Sequence, residues 1–313
     1  MAMAGDPVSP RLRTNLFGLE FANPVIAASG TFGYGVELAP VVDLRKLGGL
    51  VVKGLSREPI RGNPPPRLWE TRGGMMNSVG LQNVGVRAFV REKLPALRGC
   101  GTRVIANVFG YTVEDYVEVI RVLEDTEGLD AYELNVSCPN TKHGGMFFSS
   151  DPRLLAEVVS AAAREARRPV IVKLSPNVTR IDEPARAAEE SGAAAVSLVN
   201  TFLGLAVDAR TRRPRLGAGY GGVSGPAIKP LALRLVREAA RAAKIPVIGI
   251  GGILTGEDAA EFLITGASAV EVGTAAMADP RAPIRIAAEL DAFLAETGCA
   301  SAASLIGTLE WPG

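Results

Sequence analysis

Pro246-Val-Ile-Gly-Ile250 runs into Gly251-Gly252, then Thr255-Gly-Glu-Asp258, Gly266 and Ala269-Val-Glu-Val-Gly273. A short continuous apolar run is a strand buried on both faces, because a strand with one wet face alternates. Thr255 and Asp258 have capping-box spacing for a helix start, and Gly266 stands where a helix C-terminal cap belongs. Strand, helix and strand within roughly thirty residues make a parallel unit with a crossover helix. The same kind of run recurs upstream in Pro24-Val-Ile-Ala-Ala28, Gly49-Leu-Val-Val-Lys53, Arg103-Val-Ile-Ala-Asn-Val108 and Ala131-Tyr-Glu-Leu-Asn-Val136. Pro169-Val-Ile-Val-Lys-Leu174 and Ala194-Ala-Val-Ser-Leu-Val199 complete the set. Eight parallel strands alternating with helices predict an α/β fold, the (β/α)8 TIM barrel.

Helical candidates fill the intervals: Val113 to Glu127 with Thr112 as cap, Asp151 to Arg168, Pro226 to Lys244 and Pro280 to Gly298. Two intervals, Gly54 to Val84 and Asn200 to Gly225, are too long for plain connections. In a barrel, such extra length collects over the C-terminal face, where active sites sit. A strand pair around Leu12 to Phe21 is expected to close the barrel bottom. The chain is therefore read as a single domain, residues 1–313, with residues 1–10 a flexible N-terminus.

Composition narrows the function. Thirty-four Lys and Arg against 33 Asp and Glu leave a net charge of +1, which argues against a nucleic-acid binder. At 47% hydrophobic and 21% charged, the chain is globular rather than disordered. Cys100, Cys138 and Cys299 are widely spaced without a CxxC pair, and His143 is the lone histidine. No metal site or iron–sulfur cluster is expected from such a set. Neither a signal peptide nor an apolar run of membrane-spanning length occurs, so a cytoplasmic protein without membrane association is expected.

Polar residues end the apolar runs. Ser29 and Lys53 follow the first two, Asn107 sits late in the third, and Asn135 and Cys138 close the fourth. Lys173 lies in the fifth, and Asn200 and Thr201 follow the sixth. A single polar strand end is ordinarily a local hydrogen bonder, but five strand ends converging on Lys and Asn at one barrel mouth describe a site. The two lysines need anionic partners, because unpaired buried charge is costly. Gly251-Gly252 and Gly273-Thr274, with Gly225 nearby, place backbone N–H groups where barrels often bind phosphate. Most cysteines are small buried hydrophobes, the reading given to Cys100 and Cys299. Cys138 lies instead in a polar loop, where a thiol can act as base or nucleophile once its neighbours tune it. His143 reads as a surface loop residue.

With Lys53, Asn77-Ser-Val-Gly-Leu-Gln-Asn83, Asn135-Val-Ser-Cys-Pro-Asn140, Lys173-Leu-Ser-Pro-Asn177 and Gly251-Gly252 in order, the chain resembles the class 1 dihydroorotate dehydrogenases from about Leu12 to Leu294. The resemblance implies an FMN-containing barrel that oxidises dihydroorotate to orotate in pyrimidine synthesis. It implies Cys138 as the base that removes the C5 proton while hydride from C6 goes to the flavin. Lys53, Asn77, Ser78, Val79, Gly80, Leu81, Asn135, Asn200 and Thr201 match substrate contacts. Ser29, Lys53, Gly54, Asn107, Asn135, Lys173, Val199, Gly225, Gly251, Gly252, Gly273 and Thr274 match FMN contacts.

Within class 1, the segment Gly80-Leu-Gln-Asn83, the run Lys173 to Val178 and the loop from Gly144 resemble the NAD-linked branch. That branch implies a homodimer within a heterotetramer whose other subunit carries FAD and a [2Fe-2S] cluster. The fumarate-linked branch and a dihydropyrimidine dehydrogenase-like flavoenzyme are the nearest alternatives. A phosphate-binding lyase or aldolase using Lys173 as Schiff-base former is the rival of a different class.

Overall fold

A computed structural model of the chain describes residues 9–137, 139–140 and 146–312. Its centre is a closed barrel of eight parallel strands. These are β1 (Val25–Ala27), β2 (Gly49–Val51), β3 (Arg103–Val108), β4 (Ala131–Asn135), β5 (Val170–Lys173), β6 (Ala195–Leu198), β7 (Val247–Ile250) and β8 (Ala269–Val272). Each pairs with its neighbour in sequence, and β8 closes on β1 through Val270↔Val25 and Val272↔Ala27. All eight expected runs form barrel strands, seven of them trimmed by a residue or two at their ends.

Side chains on a strand alternate between its two faces, so every second residue points into a barrel. The lowest inward layer is Ile26, Val51, Ile105, Ala131, Ile171, Ala195, Ile248 and Ala269, all buried in one cluster with Leu16 and Phe21. Leu16 and Phe21 come from the antiparallel pair Thr14–Leu16 and Leu19–Phe21, which plugs the bottom as expected. Two residues further along the strands come Lys53, Asn107, Glu133, Lys173, Ser197 and Glu271. A polar layer thus sits directly on an apolar floor.

The outer ring follows amphipathic patterning. α1 (Val86–Glu92) and α2 (Leu94–Leu97) precede α3 (Val113–Glu124) and α4 (Pro152–Glu165). α5 (Asp182–Glu190), α6 (Lys229–Ala242), α7 (Gly256–Thr265), α8 (Thr274–Ala278) and α9 (Ala282–Glu296) follow. Both α3 and α7 start on capping boxes, Thr112 with Asp115 and Thr255 with Asp258. The four expected ranges Val113 to Glu127, Asp151 to Arg168, Pro226 to Lys244 and Pro280 to Gly298 are all trimmed, and three of them for evident local reasons. α4 ends before Arg168 because the Glu124 carboxylate captures the backbone N–H groups of Arg167 and Arg168 at 2.7 and 3.3 Å. α3 ends before Glu127 because the Thr126 hydroxyl donates to the Leu123 carbonyl. α6 begins only after a 3-10 turn, Pro226–Ile228, that turns the chain away from Gly225. α1, α2, α5 and α8 were not anticipated from the sequence.

The two long intervals are more ordered than loops. They supply one four-stranded antiparallel sheet in the order Phe202–Leu205, Tyr220–Ser224, Gly74–Asn77, Leu68–Thr71. This sheet roofs the C-terminal face of the barrel. Gly222 permits its close approach to the strand ends, since a Cβ there would meet Thr201 Oγ1 at 2.0 Å. No helix among the described residues is long and apolar enough to cross a membrane.

Candidate active site

Between the polar layer and the roofing sheet lies a cavity of about 600 Å³, within the size range of small-molecule and cofactor pockets. Barrel strand ends supply Ser29, Lys53, Gly54, Asn107, Asn135, Lys173, Val199, Asn200 and Thr201. The roof and its approach supply Asn77, Ser78, Val79, Gly80 and Leu81. Gly225, Gly251, Gly252, Gly273 and Thr274 form the side beyond β7 and β8. The structure therefore brings every expected site residue to one cavity except Cys138, which lies outside the described residues, as does His143. Cys100 and Cys299 are half-buried against the helical core, away from the cavity.

At the cavity floor, Lys173 Nζ lies 3.0 Å from Glu271 Oε2 and 3.4 Å from Glu133 Oε1. Asn107 Nδ2 donates to Glu133 Oε1 at 2.6 Å, and the Ser197 hydroxyl donates to Glu133 Oε2 at 2.8 Å. Burial disfavours charge on all three ionisable groups, but the carboxylates outweigh it for Lys173 and raise its pKa above the ordinary lysine value. Burial likewise opposes ionisation of Glu133, yet Lys173 and the surrounding hydrogen bonds hold its carboxyl below the usual range. For Glu271, burial and the nearby Glu133 charge act together and push the pKa well up. A lysine held this firmly in its cationic form is a poor Schiff-base nucleophile, which needs a neutral amine. The aldolase reading loses its key residue.

Lys53 stands differently. Burial and the nearby Arg67 guanidinium lower its pKa, with Glu37 only partly opposing them. Among the described residues it makes no ion pair, so the protein itself supplies the expected anionic partner for Lys173 and not for Lys53. The half-buried Lys53 leaves its positive charge to whatever anion enters the cavity.

Asparagines occupy the wall between. Asn200 Nδ2 donates to Asn135 Oδ1 at 3.2 Å and to Ser137 Oγ at 3.1 Å, and its Oδ1 accepts from the Thr201 backbone N–H at 2.8 Å. Asn177 Nδ2 donates to the Thr201 carbonyl at 3.0 Å, and its Oδ1 accepts from the Leu203 N–H. Asn63 Nδ2 donates to the Ser78 carbonyl, bracing the segment that contains Asn77 and Gly80. These bonds orient amide groups that can both donate to and accept from a planar ring. Leu81, in the same segment, has a φ of 56°, strain of the kind that collects at functional sites.

Opposite, Gly225, Gly251 and Gly252 have φ values of 99°, 133° and 77°. A Cβ on Gly252 would lie 2.8 Å from Lys229 Cβ and 3.0 Å from the Gly225 carbonyl oxygen. Only glycine fits, and the exposed backbone leaves room for a phosphate to approach N–H groups. Thr274 Oγ1 meets Ser224 Oγ at 2.8 Å on the same side.

Sequence reasoning overlooked Glu133, Ser197 and Glu271, together with the bracing residues Asn63 and Asn177. The signal was available in the two-residue strand period: once Lys173 and Asn107 face inward, Glu133, Ser197 and Glu271 occupy the same layer.

A family model for dihydroorotate dehydrogenase matches residues 11–294. Among relatives, a provisionally named dihydroorotate dehydrogenase A (fumarate) of Solibacter usitatus is 69% identical over 304 residues, 97% of this chain and 100% of that protein. The dihydroorotate dehydrogenase B (NAD(+)) catalytic subunits of Geobacter sulfurreducens and Geobacter metallireducens are 52% and 51% identical, each over 96% of this chain and 99% of theirs. Among solved structures, a dihydroorotate dehydrogenase of Eimeria tenella in complex with ferulenol has a TM-score of 0.82. That alignment covers 98% of this chain and 91% of the other at 23% identity, a likeness of fold.

Proposed function

The chain belongs to the dihydroorotate dehydrogenase family, and we propose that it is the catalytic subunit of an NAD-linked enzyme of two subunits. The family's enzymes are FMN-dependent oxidoreductases of pyrimidine synthesis, and this chain is one of them. The cavity's donor set fits FMN. The bare backbone at Gly225, Gly251 and Gly252 suits a phosphate, and the cationic Lys173 at the floor suits a ring that gains negative charge on reduction. When bound, FMN supplies the hydride acceptor.

The remaining chemistry falls to the chain itself. Lys53 binds the carboxylate of dihydroorotate, aided by the positive field of Arg67. Asn77, Asn135, Asn200 and Thr201 hold the ring amides, while Ser78, Val79, Gly80 and Leu81 close over the substrate and exclude water. Cys138, three residues beyond the end of β4 in sequence, removes the C5 proton as its thiolate. Ser29, Gly54, Asn107, Val199, Gly273 and Thr274 hold the cofactor.

The observation that carries the two-subunit reading is the outer face of the roofing sheet. Leu203, Leu205 and Tyr220 on that sheet are 66, 51 and 62% exposed beside the cavity mouth, and Val207, on the short strand pair that follows it, is 55% exposed. Such a contiguous apolar face beside a mouth suits a protein partner. Three separated cysteines cannot ligate a [2Fe-2S] cluster, so FAD and that cluster belong on the partner, and two copies of each subunit make the complex. The names of the relatives near 50% identity favour this reading, while the 69% relative's name favours a fumarate-linked homodimer. Steady-state turnover of the purified chain with dihydroorotate tests the choice. Dye reduction is expected alone, and NAD reduction only after a cofactor-bearing partner subunit is added. Fast NAD reduction by the lone chain refutes the relay, and fast fumarate reduction moves the protein to the other branch.

A further inference from the structure

The floor cluster holds more carboxylate than its lysine can balance. Two glutamates, neither with measurable side-chain exposure, face one ammonium from opposite sides of the barrel. The described groups packed around them, Asn107 on β3 and Ser197 on β6, are neutral, β1 and β7 bring no ionisable side chain, and Lys53, after β2 in the same layer, pairs with neither glutamate. The two carboxylates are served unequally. Glu133 accepts from Asn107, Ser197 and Lys173, with both oxygens occupied. Glu271 accepts only from Lys173, through Oε2, and its Oε1 is buried with no hydrogen-bond partner among the described residues.

We propose that Glu271 is a positioning residue that stands beneath the cofactor as a neutral carboxylic acid, so that Glu133 alone balances Lys173. An ionised Glu271 would leave a second buried charge with one donor and an orphaned oxygen, which is costly. A protonated one supplies a donor to a cluster rich in acceptors, with the Glu133 carboxylate in hydrogen-bonding reach. The cluster is then neutral overall, one ammonium against one carboxylate. Because Glu271 lines the cavity beside Lys173, its state decides whether the floor offers FMN an ammonium in a charge-balanced cluster or a net negative charge. Deprotonation would oppose the negative charge that reduction places on the ring, lowering the cofactor's potential.

This inference rests on the FMN reading above, and the test separates the two. Infrared difference spectra of the purified protein at pH 7, and again after flavin removal, should contain a protonated-carboxyl stretch. It should shift in D2O and be lost in Glu271→Gln. Absence of such a band, or its persistence in the variant, overturns the proposal with no reference to flavin. The FMN midpoint potential at pH 7 should be the same in Glu271→Gln as in the parent. A more positive potential in the variant also overturns the proposal, because it means a negative charge has been removed. Lys173→Gln should lower the potential. If only that last shift is missing, the placement of FMN over the floor is wrong, and the infrared result still decides the state of Glu271.

Discussion

Replacing Lys173 with Met removes the one cation among the described residues that pairs with Glu133 and Glu271, while keeping an unbranched chain of similar length. Glu133 then sits fully buried with no counter-charge, and breaking a buried pair in this way costs about 3–5 kcal/mol. The structure permits a sharper figure. A group with no exposure takes up a proton rather than remain ionised. The cost at pH 7 is therefore capped by protonating a carboxyl of reference pKa ~4.3, about 3.7 kcal/mol. At pH 5 the same step costs only about 1 kcal/mol. In the variant, Glu133 has a folded-state pKa raised above its unfolded value. Its penalty is absent below the unfolded value and grows as pH rises toward the folded one.

Urea or thermal denaturation of the flavin-free protein measures this without the stabilisation that a bound cofactor adds. A melting temperature lower by roughly 5–6 °C is expected at pH 7, with most of the deficit gone at pH 5. Adding Glu133→Gln to the variant should recover most of the loss and abolish its pH dependence. A Gln amide can still accept from Asn107 and donate to Ser197 Oγ. A loss below about 1 kcal/mol at pH 7, or one independent of pH, would refute the charge-balance account, since the burial penalty would then be missing.

Gly252→Asp places a carboxylate and a strained φ of 77° beside the bare backbone near Gly225, so the protein should purify without flavin; full yellow occupancy contradicts the phosphate site. Because burial and Arg67 lower the Lys53 pKa, orotate binding should weaken as pH rises through that lowered value, sooner than for an ordinary lysine. Spectral titration of Lys53→Gln should give weaker binding with no such alkaline limb; an unchanged limb assigns it to another group. Cys138→Ala should keep FMN and orotate binding while flavin reduction by dihydroorotate slows roughly 10²–10⁴-fold, and Cys138→Ser should recover activity partly at high pH. Stopped-flow reduction of the Ala variant at the parent rate removes Cys138 from the mechanism, whereas Cys100→Ala and Cys299→Ala should be kinetically silent.

The barrel was legible because each of its strands is a local, continuous apolar run and each crossover helix buries an amphipathic face. Those signals lie within a few residues of one another. So do the polar strand ends and glycines, which is why the motifs ending at Lys53, Asn135, Lys173, Gly252 and Thr274 point to one mouth. The roofing sheet was not legible. Its strands are four or five residues long, and the central pairing joins Gly222 to Asn77 and Val223 to Met76 across more than half the barrel's chain. No local pattern announces a partner that distant.

Glu133 and Glu271 show the division most plainly. Each stands as the lone carboxylate in an apolar run, Ala131-Tyr-Glu-Leu and Ala269-Val-Glu-Val, and nothing nearby in sequence says what it meets. Alternation along the strands sets both side chains inward, and that much is local. Only closure of β8 onto β1 carries Glu271 around the ring to within 3.0 Å of Lys173, 98 residues earlier in the chain. Charge balance inside the barrel is a property of the closed ring. Coulombic and desolvation energies depend on distance and burial, and neither exists until the strands have closed around them.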